Sequence, residues 1–232
     1  MIEIGAGRGA LTEELLSRFR SVRALEVDGA LAAGLARRLG RPPGLEVIRG
    51  DALTVDLQEL TGEERWLIAG NLPYSVGTPI VRRVMSRPDL FPAAVVMVQL
   101  EVAERLVAGP GTSARGLLTV ERELSADAEL LFVVRPSSFT PPPAVVSAVV
   151  RLVMRPPAAS PAVAARALKV AAVAFQHRRK KLRNALEPIR ETLNVAAALA
   201  AAGLSGDERA QEVPLEGWLS VASTAERRQE AG

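Results

Sequence analysis

Four consecutive residues, Asn71-Leu72-Pro73-Tyr74, close an apolar run in the stretch LIAGNLPYSVGTP and are followed at once by another glycine and another proline. Their types suit work on an exocyclic amine of a base. Such a nitrogen delocalises its lone pair into the ring and is a poor nucleophile. Two acceptors placed on its two N–H groups favour a pyramidal nitrogen with the lone pair turned toward a donor methyl. The Asn71 side-chain carbonyl and the Leu72 backbone carbonyl can be that pair. The residue before a proline is confined to extended geometry, so Pro73 fixes where the Leu72 carbonyl points. Tyr74, the only tyrosine in the chain, offers a flat face on which an extruded base can stack. A strand ending in a proline turn, with tyrosine as a wedge, would account for the position but would leave the asparagine without a purpose.

A second constellation stands at the start of the chain, where Glu3 precedes Gly5, Gly7 and Gly9 in EIGAGRGA. Glycines between a strand and a helix let the chain turn tightly and bring backbone N–H groups against a ligand. GAGRGA satisfies the dinucleotide pattern G-x-G-x-x-A, and Glu26 follows at the distance of a ribose-binding acid. On this loop alone, dinucleotide binding, adenosylmethionine binding and a structural turn all stay open. Asp51, in RGDAL at the end of a third strand, can accept from an adenine amine or anchor its own loop. Ligands of open α/β sheets bind outside the carboxyl ends of the strands, so Gly5, Glu26, Asp51 and Asn71 should gather on one rim. A dinucleotide enzyme has no evident use for Asn-Leu-Pro-Tyr there.

The elements that must position these residues alternate. Strands are expected near Ile2–Ile4, Val22–Val27, Leu45–Ile48, Trp66–Ala69, Ala94–Leu100, Leu130–Val134 and Val145–Val153. Helical patterns such as ALTEELLSRF, ALAAGLARRL and PIVRRVMSR lie between the early ones, the pattern of a mostly parallel sheet covered on both faces. Between the last two strands there is only the proline-rich RPSSFTPPPA, with no room for a helix, so the final strand should run antiparallel. Seven strands with one reversed give a Rossmann-like α/β domain over residues 1–156. RPPAASP reads as a linker, and the Ala-rich remainder, 157–232, as a small all-helical domain.

The 232 residues suffice for a sizeable core, no apolar run approaches membrane-spanning length, and there is no secretory signal pattern or cysteine. A metal site is not expected, and a cytoplasmic protein is. The net charge is only +3, but between Ala164 and Arg190 eight cations (Arg166, Lys169, Arg178, Arg179, Lys180, Lys181, Arg183 and Arg190) face a single acid, Glu187. Val173, Leu182, Leu186 and Ile189 are spaced roughly as one apolar helical stripe, with the cations on the other faces. Such a surface suits contact with nucleic-acid phosphates. His177, the lone histidine, reads as a helix-surface residue.

Taken in order, EIGAGRGALTEEL, LEVD, GDAL, GNLPYSVGTPIV, QLEVAERLVAGPG and SSFTPPPAVVSAVVRL resemble the adenosylmethionine-dependent rRNA adenine N6-dimethyltransferases. FQHRRKKLRNAL and ERAQEVPLEGWLSVA extend the resemblance to the small-subunit branch over nearly the whole chain. The resemblance implies dimethylation of adenine N6 in small-subunit rRNA by a monomer that partners the small ribosomal subunit. It implies an adenosylmethionine site lined by Glu3, Gly5, Gly7, Glu26, Asp51, Ala52 and Asn71, with Glu26 on the ribose and Asp51 on the adenine. Asn71, Leu72, Pro73 and Tyr74 would hold the target base, Phe139 would close over it, and Arg178, Arg179, Lys180, Lys181 and Arg183 would contact RNA. A non-catalytic rRNA-binding assembly factor, or a large-subunit rRNA methyltransferase of the macrolide-resistance kind, are the alternatives. Members of the family carry a segment upstream of the first strand with a Gln-Asn-Phe-Leu type motif, whereas this sequence begins inside that strand. The resemblance therefore implies weak cofactor binding and slow turnover by these 232 residues alone.

Overall fold

The structure is a computed structural model that describes residues 1–226 of the chain. Seven strands, β1 (Ile2–Ile4), β2 (Val22–Glu26), β3 (Leu45–Arg49), β4 (Ile68–Asn71), β5 (Ala93–Gln99), β6 (Ala126–Val134) and β7 (Ser147–Met154), form one sheet in the order β3-β2-β1-β4-β5-β7-β6. The first five are parallel, and β7 enters antiparallel between β5 and β6. The reversed last strand follows from the short connection before it, as expected. Ile2, Leu25, Ile68, Val96, Val98, Val150 and Leu152 are buried, as the near-continuous apolar character of strands covered on both faces requires.

Helices α1 (Ala10–Leu16), α2 (Gly29–Arg38), α3 (Leu57–Thr61) and α4 (Gly77–Met85) connect the parallel strands. Asp28 and Asp56 cap α2 and α3, each accepting two backbone N–H groups in the first turn. Helix α5 (Leu100–Val107) and α6 (Leu117–Glu123) follow β5, and α7 (Pro161–Gln176), α8 (Leu182–Ala185), α9 (Val195–Ala201) and α10 (Leu215–Glu226) follow β7.

Most strand boundaries differ from expectation by a residue or two, and those of β6 and β4 have identifiable causes. β6 begins at Ala126 rather than Leu130, because pairing with β7 recruits Ala126–Glu129, a stretch poor in β-branched residues, into the ladder. β4 covers Ile68–Asn71, so Asn71 is the last residue of the strand itself. Gly70 makes this possible: a Cβ there would stand 2.6 Å from the Ile4 carbonyl oxygen of the neighbouring strand.

The chain forms two compact units, Met1–Ala103 with Ala126–Arg155, and Glu104–Ser125 with the residues from Pro156 onward. One division falls at Arg155/Pro156, in the linker, and Glu104–Ser125 groups with the C-terminal helices. The reason is hydrophobic: Val120 and Leu117 of α6 pack in one cluster with Ala171, Ala174, Leu186, Val213 and Trp218. Buried Arg115 adds a bidentate pair with Glu123 (2.6 and 2.7 Å) and a bond to the Val213 carbonyl (3.0 Å). Residues 227–232 of the expected helical domain lie outside the described residues.

Candidate active site

The carboxyl ends of β1, β2, β3 and β4 do form one rim. Gly5 turns the chain out of β1 with φ +77°, a conformation costly for any side chain. A Cβ on it would lie 3.5 Å from the Asn71 carbonyl oxygen and 3.9 Å from the Pro73 ring, so its backbone faces the end of β4. Glu26, almost buried at the end of β2, accepts the Gly7 N–H at 2.7 Å on one oxygen and the Asp28 N–H at 2.9 Å on the other. It therefore pins the glycine loop, and each oxygen retains acceptor capacity. Asp51 accepts the Leu53 N–H on Oδ1 at 2.8 Å, while its Oδ2 makes no hydrogen bond among the described residues. This loop is further held by Arg83 of α4, which donates to the carbonyls of Ala52 (2.8 Å) and Val55. The donor set fits adenosylmethionine: a glycine cradle open to a backbone approach, and carboxylates for hydroxyls and an amine.

Glu3 is placed differently from the other six. It is 1% exposed, and its carboxylate accepts the Thr12 hydroxyl at 2.6 Å, tying β1 to α1 beneath the loop. Burial raises its pKa, the Thr12 bond opposes that, and the charge of Glu26 adds to it. Its bond to Thr12 supports the glycine turn.

At the end of β4, Asn71 pairs with Met97 of β5, and the next residue, Leu72, donates its N–H to the Met97 carbonyl at 3.1 Å. The backbone is thus fixed one residue beyond the strand. The Asn71 side chain is exposed, and among the described residues neither its amide nor the Leu72 carbonyl makes a hydrogen bond. Asn71, Leu72, Pro73 and Tyr74 line an open cleft of about 270 Å3 with Phe139, Pro141 and Pro143. Phe139, forty residues past β5, is brought opposite Tyr74 because the 135–146 loop returns the chain to β7. The Tyr74 hydroxyl lies 2.7 Å from the Ser147 hydroxyl. Neither Ser147 nor Arg83 was found from sequence. A serine inside the β-branched run VVSAVV was the one available signal for Ser147, while Arg83 is indistinguishable in sequence from Arg82 beside it.

The basic segment departs from the expected continuous helix. Helix α7 ends at Gln176, His177 is its C-cap, and a turn leads to the short α8, which begins at Leu182. Of the expected apolar stripe, Leu182, Leu186 and Ile189 pack in one cluster, and Val173 of α7 is half-buried. The eight-to-one imbalance also shrinks in space. Asp207, distant in sequence, pairs with Lys181 (3.3 Å) and Arg183 (2.6 Å), and Arg190 pairs with Glu187. Arg178 donates to the carbonyls of Ser113 (2.6 Å) and Arg115 (3.0 Å). Arg179 and Lys180 are exposed, and their side chains make no ion pair or hydrogen bond among the described residues. No group of three or more His, Cys, Asp or Glu that could hold a metal occurs among the described residues, and no helix there is long and apolar enough to cross a membrane.

Comparison with known proteins decides the family. The model of the ribosomal RNA adenine dimethylases matches residues 1–227. This chain belongs to that family. It is 42% identical over 226 residues to the ribosomal RNA small subunit methyltransferase A of Synechococcus sp. (strain JA-3-3Ab), covering 95% of this chain and 79% of that protein. The protein of the same name from Ruegeria pomeroyi is likewise 42% identical, over 96% of this chain and 80% of its own length. Among solved structures, a dimethyladenosine transferase from Plasmodium falciparum shares the fold, with a TM-score of 0.78 at 24% identity over 95% of this chain and 87% of that one. The 23S rRNA methyltransferase ErmE matches with a TM-score of 0.72 at 29% identity, covering 97% and 90%. The seven-stranded Rossmann-like fold of an rRNA methyltransferase is therefore that of the family.

Proposed function

We propose that this chain dimethylates N6 of adenine in small-subunit rRNA with adenosylmethionine as methyl donor, and that its partner is the small ribosomal subunit in the cytoplasm. The observation that carries the reading is the pair of unengaged acceptors, the Asn71 side chain and the Leu72 carbonyl, on a backbone fixed by β5 inside a cleft walled by Tyr74 and Phe139. Identity of 42% to small-subunit enzymes, against 29% to the 23S enzyme, supports the small subunit as substrate.

Adenosylmethionine, when bound, supplies a methyl group on an already activated sulfonium. Gly5, Gly7 and Ala52 would give it backbone room, Glu26 would accept from its ribose hydroxyls and Asp51 from its adenine amine. In the first transfer Asn71 and Leu72 would accept the two N6 hydrogens of the target and hold the nitrogen pyramidal. The N–CH3 bond forms as the S–CH3 bond breaks, and one N6 proton leaves to solvent, so that a single N6 hydrogen remains to be accepted, and then lost, in the second. These acceptors are in place before the base arrives, so little reorganisation is needed as charge develops. Tyr74 and Phe139 stack the extruded base and exclude water, and orientation supplies much of the remaining acceleration. Arg179 and Lys180 are the best placed of the cations to meet phosphates, with Lys181 and Arg183 reaching RNA only in competition with Asp207 and Arg178 serving the 113–115 backbone.

The test is transfer of labelled methyl from adenosylmethionine to undermethylated small subunits, with the modified nucleoside identified by mass spectrometry. N6,N6-dimethyladenosine in the small-subunit rRNA is expected. RNA binding without methyl transfer would leave an assembly factor, and label in large-subunit rRNA alone would move the substrate.

A further inference from the structure

Ser147 is a fully buried polar residue whose side chain finds its hydrogen-bond partner outside the sheet. It is 0% exposed, opens β7, and stands between Gln99 of β5 and Val134 of β6, so its backbone is fixed from both sides. Ala148, Val150 and Leu152 alternate onto the opposite, apolar face of β7, while Val149 and Arg151 follow Ser147 on its own face. The single hydrogen bond of its side chain is with the Tyr74 hydroxyl, at 2.7 Å, and the Tyr74 hydroxyl has no other partner among the described residues. A buried hydroxyl without a partner is costly, so each group explains the presence of the other.

Resting on the function proposed above, we infer that Ser147 is a positioning residue for that reaction: it anchors the Tyr74 ring at the angle the target base must stack on. A tyrosine ring turns about two side-chain torsions, and Pro73 restrains the backbone of Leu72 rather than either of these. The bond to Ser147 holds the far end of the ring and removes that freedom before the base enters. It also ties the two walls together through the chain, because Ser147 follows the loop that carries Phe139. One wall, Tyr74, is therefore fixed relative to the strand from which the other wall departs. A second consequence concerns the phenol. With its hydroxyl committed to Ser147, Tyr74 acts through its face and moves no proton during methyl transfer.

The experiment is a double-mutant cycle with Ser147→Ala and Tyr74→Phe, read by methyl transfer to undermethylated small subunits. Each variant should lower kcat by roughly three- to tenfold, the range set by one neutral hydrogen bond, with KM for adenosylmethionine unchanged. The double variant should be no slower than the slower single one, and Tyr74→Phe should keep the shape of the wild-type pH–rate profile. Losses that multiply, a wild-type rate in either variant, or a titration that vanishes in Tyr74→Phe would overturn the inference. If Ser147→Ala does not fold, Tyr74→Phe still deletes the bond from its half-exposed side, and full kcat in that variant alone refutes the inference. Because Tyr74 is the only tyrosine, fluorotyrosine labelling gives a fluorine spectrum that reports on this ring and nothing else. A resonance that shifts and broadens in Ser147→Ala supports anchoring, and an unchanged one refutes it. A wild-type chain that transfers no methyl to rRNA would defeat the proposed function instead, with the fluorine spectrum still deciding the anchoring.

Discussion

Polar residues are held in opposite ways at the end of β4 and after α7. At Asn71–Tyr74 the backbone is immobilised by sheet register while the acceptor atoms are left unengaged. From His177 to Arg183 the backbone is a turn leading into the short α8, and most of the cations are already occupied by Asp207 or by loop carbonyls. The difference separates the number of polar groups from the number that are available. A site is made by what the fold leaves unsatisfied on a rigid frame, and a dense run of cations can be largely spent on its own unit.

The most damaging way to break the first region is Asn71→Ala. It removes one of two acceptors needed only as the nitrogen pyramidalises, and loss of one preorganised group of this kind costs about 10²–10³ in kcat. Methyl transfer should fall by that factor with an unchanged thermal melt and little change in RNA affinity. Tyr74→Ala and Phe139→Ala come next, weakening base capture by roughly 1–3 kcal/mol per lost stack, visible in kcat/KM for the subunit substrate. Arg83→Ala should raise KM for adenosylmethionine by about tenfold, because it frees the loop carrying Asp51 while leaving Asn71 in place.

The second region is sharpened by splitting its cations. Arg179→Glu with Lys180→Glu should weaken subunit binding and flatten its salt dependence, since fewer counterions are released, with the melting temperature unchanged. Arg178→Ala should do the reverse, lowering stability through the lost Ser113 and Arg115 contacts while leaving the salt slope. Equal slopes in both variants would return Arg179 and Lys180 to ordinary surface.

The smallest effect belongs to Glu3. Its pKa is raised by burial, so between the ordinary value of 4.5 and the raised one the folded chain binds more protons than the unfolded chain. Stability contributed there falls as pH rises through that window. Glu3→Gln keeps an acceptor for Thr12 and removes the charge. Its melting temperature relative to the wild type should therefore climb as pH rises across the window, and parallel curves would show that Glu3 is not carrying a buried charge.

Much of the first region was legible because its determinants are local. Pro73 constrains Leu72, the glycines mark the turn, and alternation of strands and helices places their carboxyl ends on one rim. Ser147 and Arg83 escaped because a hydroxyl or guanidinium acquires its role from a partner dozens of residues away. The same holds for Asp207, which lies outside the window in which the cations were counted. The Glu3–Thr12 bond is hidden for a related reason: motif position says which loop a residue belongs to, not which side chain it meets. Residues 104–125 group with the C-terminal helices in packing, which contiguity in sequence does not reveal.

The place of β7 in the sheet has a consequence for how the protein is made. β6 has no neighbour in the sheet except β7, and β5 has an open edge until β7 fills it. A ribosome delivers β6 first, so for the length of the 135–146 loop the nascent chain carries an unpaired strand that includes exposed Leu131, Phe132 and Val133. Strand edges of that kind invite pairing with other chains. The emergence of Ser147–Met154 closes both edges at once, and the same event delivers the hydroxyl that Tyr74 requires. The catalytic cleft is thus completed by the last strand to leave the tunnel, and a chain interrupted before it would be both inactive and aggregation-prone.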